Sequence, residues 1–198
     1  MDIEITEVVD NKNVREFWFK GELLKTFDRR LYKRHLREIY CLKTKKEILE
    51  CFSRLEMSLA KGYVYRLLAF KGFMTGELKA KLHERKVSNT VISHVLKECE
   101  RLGYLDDKRE LKLFIEGAKR KGWGPLMIEK KLKQKLKSSG IEVAISREDQ
   151  MKEIERWVEK KYKGLDFTDL KVKQKIFRFL KGKGFDERLI REQLFAIG

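Results

Sequence analysis

A single proline, Pro125, occurs in the whole 198-residue chain. Proline lacks a backbone N–H donor and clashes with the preceding helical turn, so a chain that nearly lacks it can form long helices. Its scarcity also argues against a loop-rich or β-sandwich protein. Apolar residues make up 42% of the chain, which is enough for a core and argues against full disorder. These features predict a mainly helical globular protein.

The apolar segments are short and the cysteines few. No segment approaches the roughly 20 apolar residues that a helix needs to cross a bilayer. Acidic residues follow Met1, the wrong charge for a secretory signal, and no apolar segment comes after them. Cys41, Cys51 and Cys99 are an odd number without close spacing, so a disulfide framework is not expected. We expect a cytoplasmic protein that does not bind membranes.

The first 44 residues have a pattern of their own. Ile3 and Ile5 alternate with polar residues, and the segments Val14–Phe19 and Leu23–Phe27 are rich in strand formers. This pattern predicts a β-hairpin or a small three-stranded sheet. The basic segment Arg29–Arg37 reads as a short connecting helix. Residues 1–44 are therefore assigned to an N-terminal β-hairpin and a connecting helix.

Helical signals begin at Thr44. Thr44 with Glu47 three residues later fits a capping box, in which each side chain binds a free backbone N–H at the helix start. Further N-caps are expected at Thr75, Ser88, Ser146 and Asp186. Gly103 should end a helix in the left-handed conformation. Gly62 permits a break in the first helix, because glycine disfavours helix interiors.

A weak internal repeat is present in the apolar residues. Leu78, Leu82, Val87, Ile92 and Leu96 recur with the same spacing as Ile176, Leu180, Phe185, Ile190 and Leu194, and a partial copy includes Ile128 and Leu132. We predict three-helix, helix-turn-helix-like repeats over residues 45–105, 106–146 and 147–198, in an elongated tandem arrangement. The predicted core comprises Leu67, Leu82, Ile92, Leu96, Ile128, Leu132, Ile176, Leu180 and Ile190.

The chain is strongly basic, with a formal net charge of +16. The densest segment, residues 117–139, has eight Lys and Arg side chains against the single acid Glu129. Such a field attracts polyanions, and nucleic acid is the usual one, although a merely solvated helical surface is the simpler alternative. The candidate residues for binding DNA or a DNA-filled filament are Lys79, Lys81, Arg85, Lys86, Lys119, Arg120, Lys121, Lys130, Lys131, Lys133 and Lys135.

The sequence contains no arrangement typical of an active site. His35, His83 and His94 are isolated, and Cys41 and Cys51 are too far apart for a zinc knuckle. No glycine-rich loop followed by Lys-Ser/Thr is present, so ATP binding has no support. We expect a protein that is not an enzyme and holds no metal or cofactor.

Two short motifs have structural interpretations. Adjacent Asp106 and Asp107 would diverge on a helix, so we expect them at a helix N-terminus rather than in general acid–base chemistry. In the Gly122–Pro125 turn, Pro125 suits the first position of a helix. Trp123 is expected to anchor this turn, with base stacking as the alternative.

Several of these motifs together resemble RecX, the bacterial regulator of the RecA recombinase. The first repeat has Arg66-Leu67-Leu68-Ala69, Glu77-Leu78-x-x-Lys81-Leu82 and Leu102-Gly103-Tyr104-Leu105-Asp106-Asp107, the second has Lys121-Gly122-Trp123-Gly124-Pro125 with Ile128 and Leu132, and the third has Phe179-Leu180-x-x-Lys183-Gly184-Phe185 with Ile190. The sequence departs from the family pattern at Lys86, where glycine is usual, and in the irregular segment Lys135–Gly140.

The resemblance implies a monomeric, non-enzymatic protein of tandem three-helix units. Proteins of this family bind the RecA–DNA filament, lie along its groove, and restrain strand exchange and ATP hydrolysis. Two alternatives stay open. One is a DNA-binding protein of helix-turn-helix type (a transcription factor or an architectural protein), because three-helix units resemble that fold and the charge is suitable. The other is a nuclease-like or ATP-dependent enzyme, for which the sequence has neither a carboxylate–metal nor a phosphate-loop signature. Lysine-rich helices contact phosphates more readily than they read base edges, which favours the filament regulator over a sequence-specific factor.

Overall fold

The computed structural model describes residues 3–8, 11–136 and 144–196. Three strands come first, β1 (Ile3–Val8), β2 (Asn11–Phe19) and β3 (Glu22–Asp28), and form one antiparallel sheet in the order β1-β2-β3. The helices that follow are α1 (Arg29–Tyr32), α2 (Leu36–Tyr40), α3 (Lys45–Phe70), α4 (Thr75–Glu84), α5 (Asn89–Arg101), α6 (Asp107–Arg120), α7 (Pro125–Leu136), α8 (Arg147–Tyr162), α9 (Leu170–Lys183) and α10 (Glu187–Ala196). The predicted fold class, mainly helical with a small N-terminal sheet, is confirmed.

The chain divides into two compact units, Met1–Asp107 and Lys108–Gly198. The first contains the sheet and α1 to α5, and the second contains most of α6 and α7 to α10. The division into three repeats at residues 105 and 146 stays a prediction. Most of the irregular segment Lys135–Gly140 lies outside the described residues, which end at 136 and resume at 144.

An aromatic cluster forms the centre of the first unit. The Phe52 ring of α3 lies edge-on to Phe17 of β2, with centroids 5.1 Å apart, and to Tyr32 of α1 at 5.7 Å. Phe27 of β3 packs on Tyr32 at 5.3 Å. Edge-to-face pairs of this kind add to the free energy of apolar burial. The cluster therefore fixes the sheet on the long helix α3.

Helix α3 is continuous over 26 residues, so the break permitted at Gly62 does not occur. Ala60 and Val64, on either side of Gly62, are fully buried in the core. Their packing outweighs the roughly 1 kcal/mol by which glycine disfavours a helix. The capping box of Thr44 and Glu47 at the start of α3 is confirmed.

Tertiary contacts alter two of the predicted caps. The cap of α4 is Met74 rather than Thr75, because the Glu77 carboxylate accepts from the Met74 N–H at 3.0 Å. The Thr75 N–H and hydroxyl instead donate to the Asp107 carboxylate, at 2.7 and 3.0 Å. Asp107 is the first residue of α6, so the aspartate pair lies at a helix N-terminus as predicted. The Asp107 carboxylate in addition stabilises the N-terminus of α4.

The second altered cap is Ser88, at the start of α5. Ser88 has the backbone position of an N-cap, but its side chain makes no capping bond. Its N–H and hydroxyl donate to the Glu56 carboxylate of α3, at 3.0 and 2.9 Å. Glu56 is buried and also accepts from the Lys25 ammonium of β3 at 2.8 Å. A buried carboxylate is stable only when its oxygens are so paired.

The remaining local predictions are mostly confirmed. Ser146 and Asp186 accept hydrogen bonds from backbone N–H groups at the starts of α8 and α10, Pro125 is the first residue of α7, and Gly103 has a positive φ of 73°. Eight of the nine predicted core residues are buried, and the exception, Leu67, is half-buried and packs against the first core from outside.

The second unit is built around a close contact between two turns. The Gly124 N–H donates to the Lys183 carbonyl at 2.9 Å, and the Leu126 N–H donates to the Gly184 carbonyl at 3.1 Å. The Trp157 indole N–H of α8 donates to the Gly122 carbonyl at 3.0 Å. These bonds join the start of α7 to the turn between α9 and α10, next to a core that includes Ile154, Ile176, Leu180 and Ile190.

Candidate nucleic-acid interface

The outer face of α7 is one of the basic surfaces of the second unit. Ile128 and Leu132 are fully buried, which fixes the opposite face of the helix toward solvent. Lys130, Lys131 and Lys133 are exposed on the helix. Their ammonium groups are therefore available to phosphates, and we call this set the α7 basic face.

Lys135 differs from the other lysines of α7. It is half-buried, and its ammonium lies 5.2 Å from the centre of the Phe114 ring of α6. A cation over an aromatic face is attracted by the ring quadrupole, so part of the role of Lys135 is structural.

One of the predicted basic residues at the end of α6, Lys119, lines a cavity. Lys119, Arg120 and Lys121 are all exposed, and the Lys121 ammonium lies 5.2 Å from the centre of the Trp123 ring. Cations in the last turn also interact favourably with the helix dipole, which is a structural role. Lys119 and Trp123 line a cavity of about 380 Å³ together with Gly124, Ile145, Asp149, Gln150, Lys152, Glu153, Arg156 and Phe185.

Glu153 is the carboxylate with an unusual environment in that cavity. Burial raises its pKa, against the opposing charges of Arg156 and Lys183. Arg156 lies 2.8 Å from one carboxylate oxygen. The group is therefore held next to the Gly122 turn as part of the packing of α8.

The four predicted residues of the first unit have different surroundings. Lys79 and Lys86 are exposed, and Lys81 is half-buried with its ammonium 5.8 Å from the centre of the Phe73 ring. Lys86 has a positive φ of 58°, which is the left-handed conformation that glycine adopts without strain. The backbone at Lys86 is strained, because a residue with a Cβ disfavours this conformation, and the side chain places a cation at the surface.

Arg85 serves the packing of the first unit. Its guanidinium lies 3.3 Å from the buried Asp28 carboxylate and 5.0 Å from the centre of the Tyr63 ring. Burial alone would raise the pKa of Asp28, but hydrogen bonds from Arg30 and the charges of Arg85 and Arg30 outweigh it, so the pKa is lowered. This pair could not be predicted, because Asp28 and Arg85 are far apart along the chain.

The structure adds basic residues that the sequence analysis missed. Arg30 and Arg66 line a cavity of about 300 Å³ with Arg85, Tyr63, Leu31, Leu67 and Phe70. In the second unit the Lys161 ammonium lies 3.7 Å from the centre of the Phe179 ring, and the Lys183 ammonium lies 4.2 Å from the centre of the Trp157 ring. Lysines interleaved with aromatic residues in α8 and α9 are the signal that could have found this cluster.

The eleven predicted residues thus form two groups. Four lie in the unit Met1–Asp107 and seven in the unit Lys108–Gly198. Among the described residues, no three His, Cys, Asp or Glu side chains are grouped so that they could hold a metal ion. In the same part of the chain, no helix has both the length and the apolar character needed to span a membrane.

Comparison with known proteins identifies the family. Residues 148–194 match the family model described as the third three-helix domain of RecX. The chain is 33% identical over 141 residues to the regulatory protein RecX of Legionella pneumophila, covering 68% of this chain and 91% of that protein. It is 31% identical over 154 residues to the regulatory protein RecX of Acinetobacter baylyi, covering 73% and 93%.

Solved structures share the fold. A crystal structure of a regulatory protein RecX superimposes with a TM-score of 0.55 at 16% identity, covering 96% of this chain and 97% of the other. The crystal structure of RecX from Lactobacillus salivarius gives a TM-score of 0.56 at 18% identity, covering 71% and 96%. Together with the sequence identity to relatives along most of their length, these findings show that the chain belongs to the RecX family of regulatory proteins.

Proposed function

We propose that this protein binds the filament that the RecA recombinase forms on DNA and restrains its ATP hydrolysis and strand exchange. Membership of the RecX family is the observation that carries the proposal. The basic surfaces support it physically, because a recombinase filament contains DNA phosphates as well as protein. The protein acts by binding and needs no chemistry of its own.

The contribution of the α7 basic face to this binding is electrostatic. Each lysine that neutralises a phosphate releases condensed counterions, so affinity falls steeply with salt. Phosphate contacts carry no base information, and binding is therefore expected to be similar on unrelated DNA sequences. A regulator that follows a filament along any DNA requires this kind of contact.

The direct test is the ATPase activity of RecA on single-stranded DNA with increasing amounts of this protein. The proposal predicts a dose-dependent loss of ATP hydrolysis at substoichiometric amounts, because one bound regulator affects several filament subunits. Unchanged hydrolysis under every order of addition would refute it.

A charge-reversal variant tests the DNA contacts separately. Lys130→Glu with Lys133→Glu changes two exposed cations of the α7 basic face, and Lys171→Glu with Lys175→Glu is a matched control on the exposed surface of α9. The first variant should lower DNA affinity and flatten the slope of log K against log salt by about 1.4 on single strands. The control should leave the affinity and the slope unchanged. Equal effects of the two variants would show that DNA binding depends only on the net charge of the protein.

A sequence-specific DNA-binding protein is the alternative, since α9 and α10 form a helix-turn-helix pair. Measuring both variants on two unrelated DNA sequences separates the proposals. A loss confined to one sequence would favour base reading over phosphate contacts.

A further inference from the structure

Helices α9 and α10 enclose an apolar groove on the second unit. Its volume is about 550 Å³, and it is lined by Leu170, Lys173, Gln174, Phe177, Arg178, Arg191, Leu194 and Phe195. Phe195 is 77% exposed and Leu170 is 67% exposed, although both are large apolar residues. Leu194 is buried, and Phe177 packs against the core from the floor of the groove. A concave surface with exposed apolar side chains is typical of a binding site.

The groove carries positive charge without a carboxylate among its described lining residues. Lys173 holds its ammonium 5.7 Å from the centre of the Phe195 ring, and Arg191 holds its guanidinium 5.1 Å from the centre of the Phe177 ring. The nearby acids of α10 have other partners, since Glu187 pairs with Lys181 at 2.7 Å and Glu192 pairs with Arg147 at 2.6 Å. The rim is therefore complementary to an acidic ligand.

We propose that this groove binds an acidic amphipathic helix of a partner protein. From Leu170 to Arg178 the groove follows α9 for about 12 Å, which corresponds to about two turns of a bound helix. Apolar side chains of the partner, spaced three and four residues apart, would enter between Phe177, Leu194 and Phe195. Its carboxylates would pair with Lys173, Arg178 and Arg191 on the rim.

The charge and shape of the groove argue against two other occupants. A second copy of this chain is disfavoured, because the protein carries a net charge of +16 and would meet its own positive rim. Single-stranded DNA would stack its bases on aromatic faces, but a cation already covers one face of Phe177 and one face of Phe195. The leucines of the groove suit the aliphatic side chains of a helix better than flat bases.

The test uses a fluorescent synthetic peptide of about four helical turns, with leucine at every third and fourth position and glutamate elsewhere. Binding to the full chain is measured by fluorescence anisotropy. Phe195→Ala and Arg191→Glu alter exposed residues of the groove, so the fold should persist. Leu165→Ala and Lys175→Glu are matched controls, because both residues are exposed and neither lines the groove.

The proposal predicts that each groove variant weakens peptide binding about tenfold or more, while the controls bind as the unaltered chain does. A peptide with lysine in place of glutamate should not bind. Equal affinity of the groove and control variants, or equal binding of the lysine peptide, would overturn the proposal. The groove would be assigned to nucleic acid instead if oligothymidylate displaced the peptide and the Phe195→Ala variant no longer bound oligothymidylate. The experiment contains no recombinase and leaves the α7 basic face intact, so its outcome is independent of the proposed regulatory function.

Discussion

The contact between the α7 turn and the α9–α10 turn depends on two glycines, and replacing either should destabilise the second unit. Gly184 has a positive φ of 85°, and a Cβ built there would lie 2.8 Å from the Met127 Cα. A Cβ on Gly124 would lie 2.7 Å from the Phe185 N–H nitrogen. Both neighbours are main-chain atoms, so the turns must separate to admit a methyl group. Separation breaks the two backbone hydrogen bonds that join them.

The cost can be worked out from these contacts. An L-residue in the left-handed conformation costs about 1–2 kcal/mol. Each of the two lost hydrogen bonds contributes about 1 kcal/mol. Gly184→Ala should therefore lower the free energy of unfolding by about 3–4 kcal/mol, and Gly124→Ala by about 2 kcal/mol.

Gly182, two residues before Gly184, is the matched control. It lies inside α9 with open space around its Cα, so Gly182→Ala should stabilise the helix by about 0.5–1 kcal/mol. Urea unfolding can be followed by fluorescence in a Trp18→Phe background, in which Trp123 and Trp157 of the second unit give the signal. A loss of 3 kcal/mol should lower the urea midpoint by about 1.5 M. Equal midpoints for Gly184→Ala and Gly182→Ala would refute the reasoning.

Further predictions concern strain, charge and burial in both units. Lys86→Gly should raise the free energy of unfolding by up to about 1 kcal/mol, because relief of the left-handed strain exceeds the entropy that glycine adds to the unfolded chain; a lower urea midpoint would contradict this. Asp28→Asn should be clearly destabilising at pH 7. Since the pKa of Asp28 is lowered on folding, its contribution is present above the ordinary value of 3.8 and is lost as the pH falls through the folded pKa, so the difference in urea midpoint should shrink in acid. Glu56→Gln should cost about 1–3 kcal/mol, measured in the same way, because it weakens a buried ionic hydrogen-bond network. Leu132→Ala should cost about 2–5 kcal/mol, and wild-type melting would show that the faces of α7 are inverted.

Features set by neighbouring residues could be predicted from the sequence. The capping box at Thr44, the cap at Ser146 and the helix start at Pro125 each depend on residues within one turn. Apolar spacing likewise identified buried residues such as Ile128 and Leu180. These signals are local, and the structure retains them.

Features set by distant partners could not be predicted. Ser88 has the local signature of a capping side chain, but its hydroxyl donates to the buried Glu56 carboxylate instead. Arg85 looked like a free surface cation, but Asp28 binds it. The candidate interface has the same limitation, because composition shows which segments are basic and does not show which cations already have partners.

The most direct measurement of the central claim compares RecA ATPase activity on single-stranded DNA in the presence of three forms of this protein. These are the unaltered chain, Lys130→Glu with Lys133→Glu, and the control Lys171→Glu with Lys175→Glu. The account predicts strong inhibition by the unaltered chain and the control at substoichiometric amounts, and weaker inhibition by the α7 variant that falls further as salt increases. Undiminished ATP hydrolysis with the unaltered chain, under every order of addition, would contradict it.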